Sequence, residues 1–359
     1  MNIPRKQCNV LRGLAIVCIV FHNFLHQGFG FTTQNESSFS INRTQDFLES
    51  LCNGGFWNAL GEIFSFLGWL GVPVFVFLSG YGLVKKYEQS TTPMDVKAFI
   101  RHSWLKLFLL MLPGVLFFAL YHQLTGIGGL NVNIRYGVYL SLLGNLFGVD
   151  TMTPSIYWYF GLTFELYLAY IILNRYRSSF LLAAGIVFPI ILQICLLHVG
   201  KDGFIHFNLR NIVGWLPVFC SGILVGRYES NFGSDHDNNI RSYYYLIILL
   251  VLSGLLIICN TVPHLWVLIH FVSVLFFYCL ARLLCKLRSV ETAFAFIGLY
   301  SSFIFASHPI SRLIITEYRT ESWDIGIQLL LYILLIVILV PIYRFIVNKI
   351  TALFQRLNH

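Results

Sequence analysis

Charge is what this 359-residue chain has least of. Only 11% of its residues are Asp, Glu, Lys or Arg, against 57% that are hydrophobic, whereas a soluble domain carries about 25% charged residues. With a mean hydropathy of +0.72, so thin a charged complement excludes a water-exposed surface for most of the chain. Dense basic runs are missing too, which argues against nucleic acid as a partner, since that surface needs Lys and Arg concentrated on one face. No CxxC pair occurs among the 8 cysteines, and Cys18, Cys195, Cys220, Cys259 and Cys279 lie inside apolar runs. They read as small packing residues rather than metal ligands or a disulfide framework, and no metal site is expected. The N-terminus carries Arg5, Lys6 and Arg12 ahead of the apolar stretch from Leu14 to Phe21 but has no small-x-small cleavage site. It is expected to stay as a first helix. No internal repeat with matching broken helices is evident, which counts against inverted-repeat transporter folds.

What the chain has instead is a succession of apolar runs of membrane-spanning length. They fall near 8–26, 62–84, 101–122, 155–174, 178–199, 209–227, 241–260, 263–284, 293–315 and 325–348. The expected fold is therefore all-α, a polytopic membrane helix bundle of about ten transmembrane helices. It forms one domain over 1–359 with no separate soluble domain. The stretch from Gly137 to Phe147 is too short to cross and is expected to lie in the interface or re-enter. The 33 Phe, 19 Tyr and 7 Trp suit lipid-facing packing and interfacial belts.

Sorting Lys and Arg by side sets the orientation, because basic residues near helix ends are held in the cytoplasm. Ten spans place both termini on one side, and that side collects eighteen of the 24 basic residues, Lys85, Lys86, Lys97, Arg101, Lys106 and Arg241 among them. Arg43, Arg135, Lys201, Arg210, Arg312 and Arg319 fall opposite. Both termini are expected to be cytoplasmic, in a multi-pass protein of a bacterial cell membrane. The net charge of +8 then reads as topology and attraction to anionic lipid headgroups. The polar loop 228–240, with Asp235, His236 and Asp237, reads as a solvated turn, and the outer loop from Gln27 to Gly61, with Glu36 and Trp57, is long enough to cap a cavity.

Ionisable groups inside spans are costly and usually face a cavity or a partner. On the first helix Arg12 lies toward the cytoplasmic end, with His22 and Asn23 well toward the outer side. Ten residues of helix give a rise of about 15 Å, so one rod can meet a charged group from the cytoplasm and a second reactant nearer the outside. His22 is the natural general base, since imidazole titrates near neutrality and can take a hydroxyl proton. An interhelical hydrogen bond accounts for a lone buried histidine equally well. His308 falls at a similar depth on the ninth span, where Pro309 also suggests a simple helix distortion. Glu165, on the fourth span, can orient a histidine, hold an acceptor hydroxyl or sit in an ion pair. Trp158, Tyr159 and Tyr167 offer stacking faces for a sugar, although an interfacial belt explains Tyr157 and Trp158 equally. Arg101 and Lys106 belong to a cytoplasmic basic cluster suited to phosphates or lipid headgroups. Gly71, Gly80, Gly82, Gly222 and Gly226 allow close helix approach or leave a channel.

Several motifs taken in order resemble acyltransferase family 3, integral-membrane enzymes that move acyl groups from acyl-coenzyme A to hydroxyls of exported carbohydrates. They are Leu11-Arg12-Gly13-Leu14-Ala15 leading to His22, Gly71-Val72-Pro73-Val74-Phe75-Val76-Phe77-Leu78-Ser79-Gly80-Tyr81, and Tyr157-Trp158-Tyr159-Phe160 followed by Tyr167. Phe219-Cys220-Ser221-Gly222-Ile223-Leu224-Val225-Gly226 and Gly298-Leu299-Tyr300-Ser301 leading to His308 complete the series. The resemblance implies that Arg12 and His22 are the residues associated with activity and that acyl-CoA (acetyl-CoA first) is the co-substrate, held by Arg12, Arg101 and Lys106. Glu165 and His308 join the catalytic candidates on their own chemistry, since Glu165 comes seven residues after Trp158 where relatives place a carboxylate about five after the tryptophan. The resemblance also implies a carbohydrate or glycolipid acceptor and no tightly bound cofactor; Asn23, Trp158, Tyr159 and Tyr167 are the residues expected, from their own chemistry, to contact that acceptor. Arg12 and His22 are one residue closer than is usual in the family, so on a regular helix they diverge by about 80°. The competing reading is a transporter or flippase for a lipid-linked saccharide, which would use the same buried polar groups without acyl transfer.

Overall fold

The structure, a computed structural model, describes residues 3–26, 29–34, 39–90, 92–126, 130–147, 155–198, 210–229, 242–319 and 323–357. Lys201 and Arg241 of the charge split, Glu36, and most of the polar loop 228–240 lie outside the described residues. Among the described residues the chain is all-helical, 86% helix, with no strand.

Its helices are α1 (Arg5–Leu25), α2 (Ile41–Asn53), α3 (Phe56–Leu67), α4 (Gly71–Leu83), α5 (Val96–Leu124), α6 (Leu130–Leu140), α7 (Trp158–Tyr176) and α8 (Ser179–His198). There follow α9 (Ile212–Tyr228), α10 (Ser242–Thr261), α11 (Pro263–Trp266), α12 (Ile269–Leu284), α13 (Arg288–Leu299), α14 (Ser301–Tyr318) and α15 (Ile325–Leu357). A 3-10 turn, Gly68–Leu70, joins α3 to α4, and a π turn, Val84–Glu88, ends α4. Side-chain caps fix several starts: the Asp95 carboxylate accepts from the Ala98 N–H at 3.1 Å, and the Asn211 amide oxygen accepts from the Val213 N–H at 3.1 Å.

The ten expected apolar runs are helical over most of their described residues, but 62–84, 263–284 and 293–315 are each divided between two helices, and a count of ten spans is not borne out by helix length and composition. Seven helical stretches are long and apolar enough to cross a membrane: α1, Phe56–Glu88, α5, Ser155–Tyr176, α8, α10 and Ile325–Arg356. α13 and α14 pass the same test only as one broken span, while α9 and α12, at 17 and 16 residues, are shorter. α6 has 11 residues, too few to cross. Phe180, Phe188, Leu250, Val337 and Phe345 stand exposed on α8, α10 and α15. Apolar surface of that extent is untenable in water and suits lipid contact, so the chain is a multi-pass membrane protein.

The residues form two compact units, one of Met1–Met94 with Ala169–Leu299 and one of Asp95–Leu168 with Tyr300–His359. In the first, α1 packs antiparallel on α13 at backbone contact. A Cβ on Gly13 would strike the Phe294 carbonyl, and one on Gly298 would strike the Asn9 carbonyl. α4 meets α9 in the same way, Gly80 against the Phe219 carbonyl and Gly222 against the Phe77 carbonyl. Removing the side chain at these crossings lets whole helix surfaces gain dispersion contacts, the main attraction between helices in lipid. Gly82 differs: a Cβ there would meet nothing within 4 Å. Arg227 Nε and Nη2 donate to the two Glu88 carboxylate oxygens at 2.8 Å each, a bidentate pair that locks the π turn to α9.

In the second unit the Tyr343 hydroxyl is inserted into the α5 hydrogen-bond ladder. It donates to the Leu110 carbonyl at 2.7 Å and accepts from the Gly114 N–H at 3.1 Å. Pro113 lies inside the same turn and supplies no N–H of its own. The Tyr157 hydroxyl fills the space a Gly114 side chain would take and donates to the Ala306 carbonyl on α14. These two tyrosines hold α5, α7, α14 and α15 of the unit together.

Candidate functional site

α1 carries the first half of the expected site. Its apolar sequence from Leu14 to Phe21 makes it a helix in lipid, and it runs without a 3-10 or π interruption from Arg5 to Leu25. Arg12 and His22 therefore do diverge by about 80° around the axis while rising about 15 Å along it. No local distortion realigns them.

At the N-terminal end of α1 a cavity of ≈ 470 Å³ opens, lined by Ile3, Pro4, Arg5, Cys8, Arg12, Leu78, Tyr81, Gly82 and Lys85. Three cations share one concavity whose size suits a small-molecule ligand. The open space beside Gly82 belongs to this cavity. Glu229 pairs with Lys85, and the Tyr81 hydroxyl lies 2.7 Å from Glu229 Oε2 and 3.0 Å from the Ile3 carbonyl, with one proton to donate between them. Lys85 is thus part-neutralised and held against the wall, whereas Arg5 and Arg12 supply net positive charge. The π turn that carries Lys85 is a form found often at functional sites.

Ten residues on, His22 is 6% exposed. Its Nδ1 lies 2.8 Å from the Ser65 carbonyl. A carbonyl only accepts, so Nδ1 carries a proton and, in the neutral ring, Nε2 holds the lone pair; this fixed tautomer is the arrangement a general base needs. The His26 ring lies 4.9 Å from that of His22 between centroids. Gly68 brings the 3-10 turn so close that a Cβ there would sit 2.6 Å from the His22 Cβ. Asn23 donates to the Ile19 carbonyl at 2.9 Å, one turn back on its own helix.

The remaining expected residues belong to the second unit. Glu165 is buried in α7. His308 is fully buried in α14, its Nδ1 3.1 Å from the Ile304 carbonyl, and its Nε2 and the hydroxyls of Ser307 and Ser311 have no partner among the described residues. α14 runs from Ser301 to Tyr318 with Pro309 inside it, and His308 is an interior histidine. Tyr157 and Trp158 are both buried rather than arranged as a belt, and the Asn145 amide donates to the Trp158 carbonyl at 2.9 Å. The Tyr159 ring packs on Phe305 at 5.2 Å and that of Tyr167 on Phe99 at 5.9 Å. Arg101 and Lys106 are exposed on α5, about 140° apart around that helix.

Three features escaped the reading of the sequence. Ser65 is wholly buried with its hydroxyl unpartnered, and Trp69 is 1% exposed with its indole N–H unpartnered, among the described residues. His270 is stacked on Trp215 at 4.3 Å and lies edge-on to Trp69 at 6.1 Å. Lys85 and Tyr81 meet Glu229 across more than 140 residues of chain. A serine or tryptophan in an apolar run carries no signal of its own, and only the histidine in this group could have been singled out.

Neither the curated proteins nor the solved structures give a match. The family model described as an acyltransferase domain, that of acyltransferase family 3, matches residues 5–344. It runs from the first basic residue of α1 through both units into α15, and the chain belongs to that family and is an acyltransferase.

Proposed function

We propose that this acyltransferase moves an acyl group, acetyl first among the candidates, from cytoplasmic acyl-coenzyme A to a hydroxyl of an exported or lipid-linked carbohydrate. The observation that carries the reading is the polarity of α1. A basic cavity of ≈ 470 Å³ opens at the Arg12 end, and a histidine oriented by a backbone carbonyl stands about 15 Å along the same helix.

In this scheme all ten helical runs cross the bilayer and both termini face the cytoplasm, in keeping with the eighteen-to-six division of Lys and Arg. Coenzyme A phosphates bind at Arg5, Arg12 and Lys85, cations matched to a polyanion. The pantetheine arm carries the thioester up along α1. His22 Nε2 takes the proton of the acceptor hydroxyl as its oxygen attacks the thioester carbon, and the proton passes to the departing thiolate. Asn23 stands beside the acceptor. Donor docking rests on the α1 cavity rather than on Arg101 and Lys106, and no step is assigned to Glu165 or His308.

Membranes containing the protein, supplied with acetyl-coenzyme A labelled in the acetyl group, are expected to yield labelled carbohydrate that mild base releases as acetate. Saccharide crossing the membrane with no coenzyme A-dependent label would instead identify a flippase.

A further inference from the structure

We infer that Ser65 and Trp69 form an oxyanion hole, the pair of donors that receives the negative charge developing on the thioester carbonyl oxygen. The inference rests on the assignment of His22 as base and adds to it.

Four observations meet here, all within one compact unit. The Ser65 hydroxyl is wholly buried and unpartnered, and the Trp69 indole N–H, at 1% exposure, is unpartnered as well, among the described residues. The two are four residues apart, across the join of α3 to its 3-10 turn, so they lie on one face. The segment that carries them packs against His22, since the Ser65 carbonyl accepts from His22 Nδ1 at 2.8 Å and Gly68 would strike the His22 Cβ if it bore a side chain. Finally, the indole ring is held edge-on against His270 at 6.1 Å, and Ser273 ties the turn down by donating to the Leu70 carbonyl at 2.5 Å.

Ser65 shares its missing partner with Ser307 and Ser311 on α14 among the described residues. Other helical hydroxyls bond back to a carbonyl one turn earlier: Ser79 to Phe75 at 2.8 Å, Thr163 to Tyr159 at 2.7 Å, Ser253 to Leu249 at 2.8 Å and Thr351 to Val347 at 2.7 Å. That is the usual remedy for a hydroxyl in a membrane helix. Ser65 does not take it, and a buried donor left without a partner costs stability. An indole N–H is a donor only, so Trp69 can serve an oxygen but not hold a proton. Two uncompensated donors beside a base have one evident use in acyl transfer.

The step balances as follows. The acceptor O–H gives its proton to His22 Nε2, its oxygen bonds to the thioester carbon, and the carbonyl π pair moves onto oxygen as an oxyanion hydrogen-bonded by Ser65 and Trp69. The pair returns as the C–S bond breaks, coenzyme A leaves as thiolate, and the histidinium proton goes to sulfur. Preorganised donors aimed at charge that exists only in the transition state raise kcat and leave ground-state binding almost untouched.

The test measures Ser65→Ala, Trp69→Phe and His22→Ala in membranes, with the variants quantified and melted in detergent. Each donor variant is expected to lower kcat by about 10²- to 10³-fold with KM for donor and acceptor near wild type. Ser65→Ala is expected to melt no lower than wild type, since it deletes a buried hydroxyl that has no partner among the described residues. A coenzyme A trifluoromethyl ketone, whose hydrate mimics the tetrahedral adduct, is expected to lose inhibition in step with kcat, while the unreactive thioether analogue binds unchanged. Donor variants with kcat within a few-fold of wild type, while His22→Ala is inactive, would overturn the oxyanion hole and leave the base standing. An active His22→Ala would overturn the base itself. Ser65→Ala that melts lower and loses thioether binding would make Ser65 a structural residue.

Discussion

Replacing Arg12 with Gln isolates the donor site. Arg12 reaches into the cavity beside Arg5 and Lys85, and Lys85 is already engaged by Glu229, so Arg12 is a main source of net positive charge there. A hydrogen bond to a charged group contributes about 1.5–3 kcal/mol, and each 1.4 kcal/mol is tenfold, which sets a rise of roughly 10- to 150-fold in KM for acyl-coenzyme A. Initial rates should be taken with acyl-coenzyme A and with acyl-pantetheine, which has the thioester but no nucleotide phosphates. Arg12→Gln is expected to raise KM for the first and leave the second unchanged. Added salt should weaken the wild-type preference for the phosphate-bearing donor, through screening. Glu229→Gln works in the opposite direction: releasing Lys85 raises the cavity's positive charge, and the donor KM should fall. An equal rise for both donors in Arg12→Gln, or a weaker donor in Glu229→Gln, would refute the reasoning.

Other expectations concern the frame. Gly222→Val pushes a branched side chain onto the Phe77 carbonyl and should reduce folded protein in the membrane sharply, whereas Gly82→Ala, pointing into open space, should leave the level unchanged; immunoblotting of membranes reads both. Tyr343→Phe withdraws the hydroxyl from between Leu110 and Gly114 and should cost about 1–3 kcal/mol, seen as a lower melting temperature in detergent. Arg227→Met strands the Glu88 carboxylate and should cost about 3–5 kcal/mol, with Glu88→Leu in the same chain restoring much of the loss.

The helices were legible because apolar runs of spanning length have few other uses, and seven helical stretches are long and apolar enough to cross a membrane. The break at Tyr300 and the short α9 and α12 were not, since an apolar run shows where a helix can lie but not where it stops. His22 stood out as an ionisable group in an apolar run. Its partner did not, because that partner is the backbone carbonyl of Ser65, and every residue has one. Arg12 was visible for its charge, yet the cavity around it needed Lys85, Tyr81 and Glu229 brought together from distant parts of the chain. Trp158 looked equally suited to a belt and to a sugar, and only its burial separated it from the interface. Arg101 and Lys106, close in sequence, part company because five residues are not a whole number of turns.

The measurement closest to the central claim is the rate of acyl transfer by His22→Ala. With folded protein in the membrane at the wild-type level and donor binding intact, the loss of a positioned general base should lower kcat by at least about 10²-fold, and more if His22 also returns the proton to the leaving thiolate. His22→Gln, similar in size but unable to act as a base near neutrality, should be no better. Transfer within a few-fold of wild type in either variant would contradict the account.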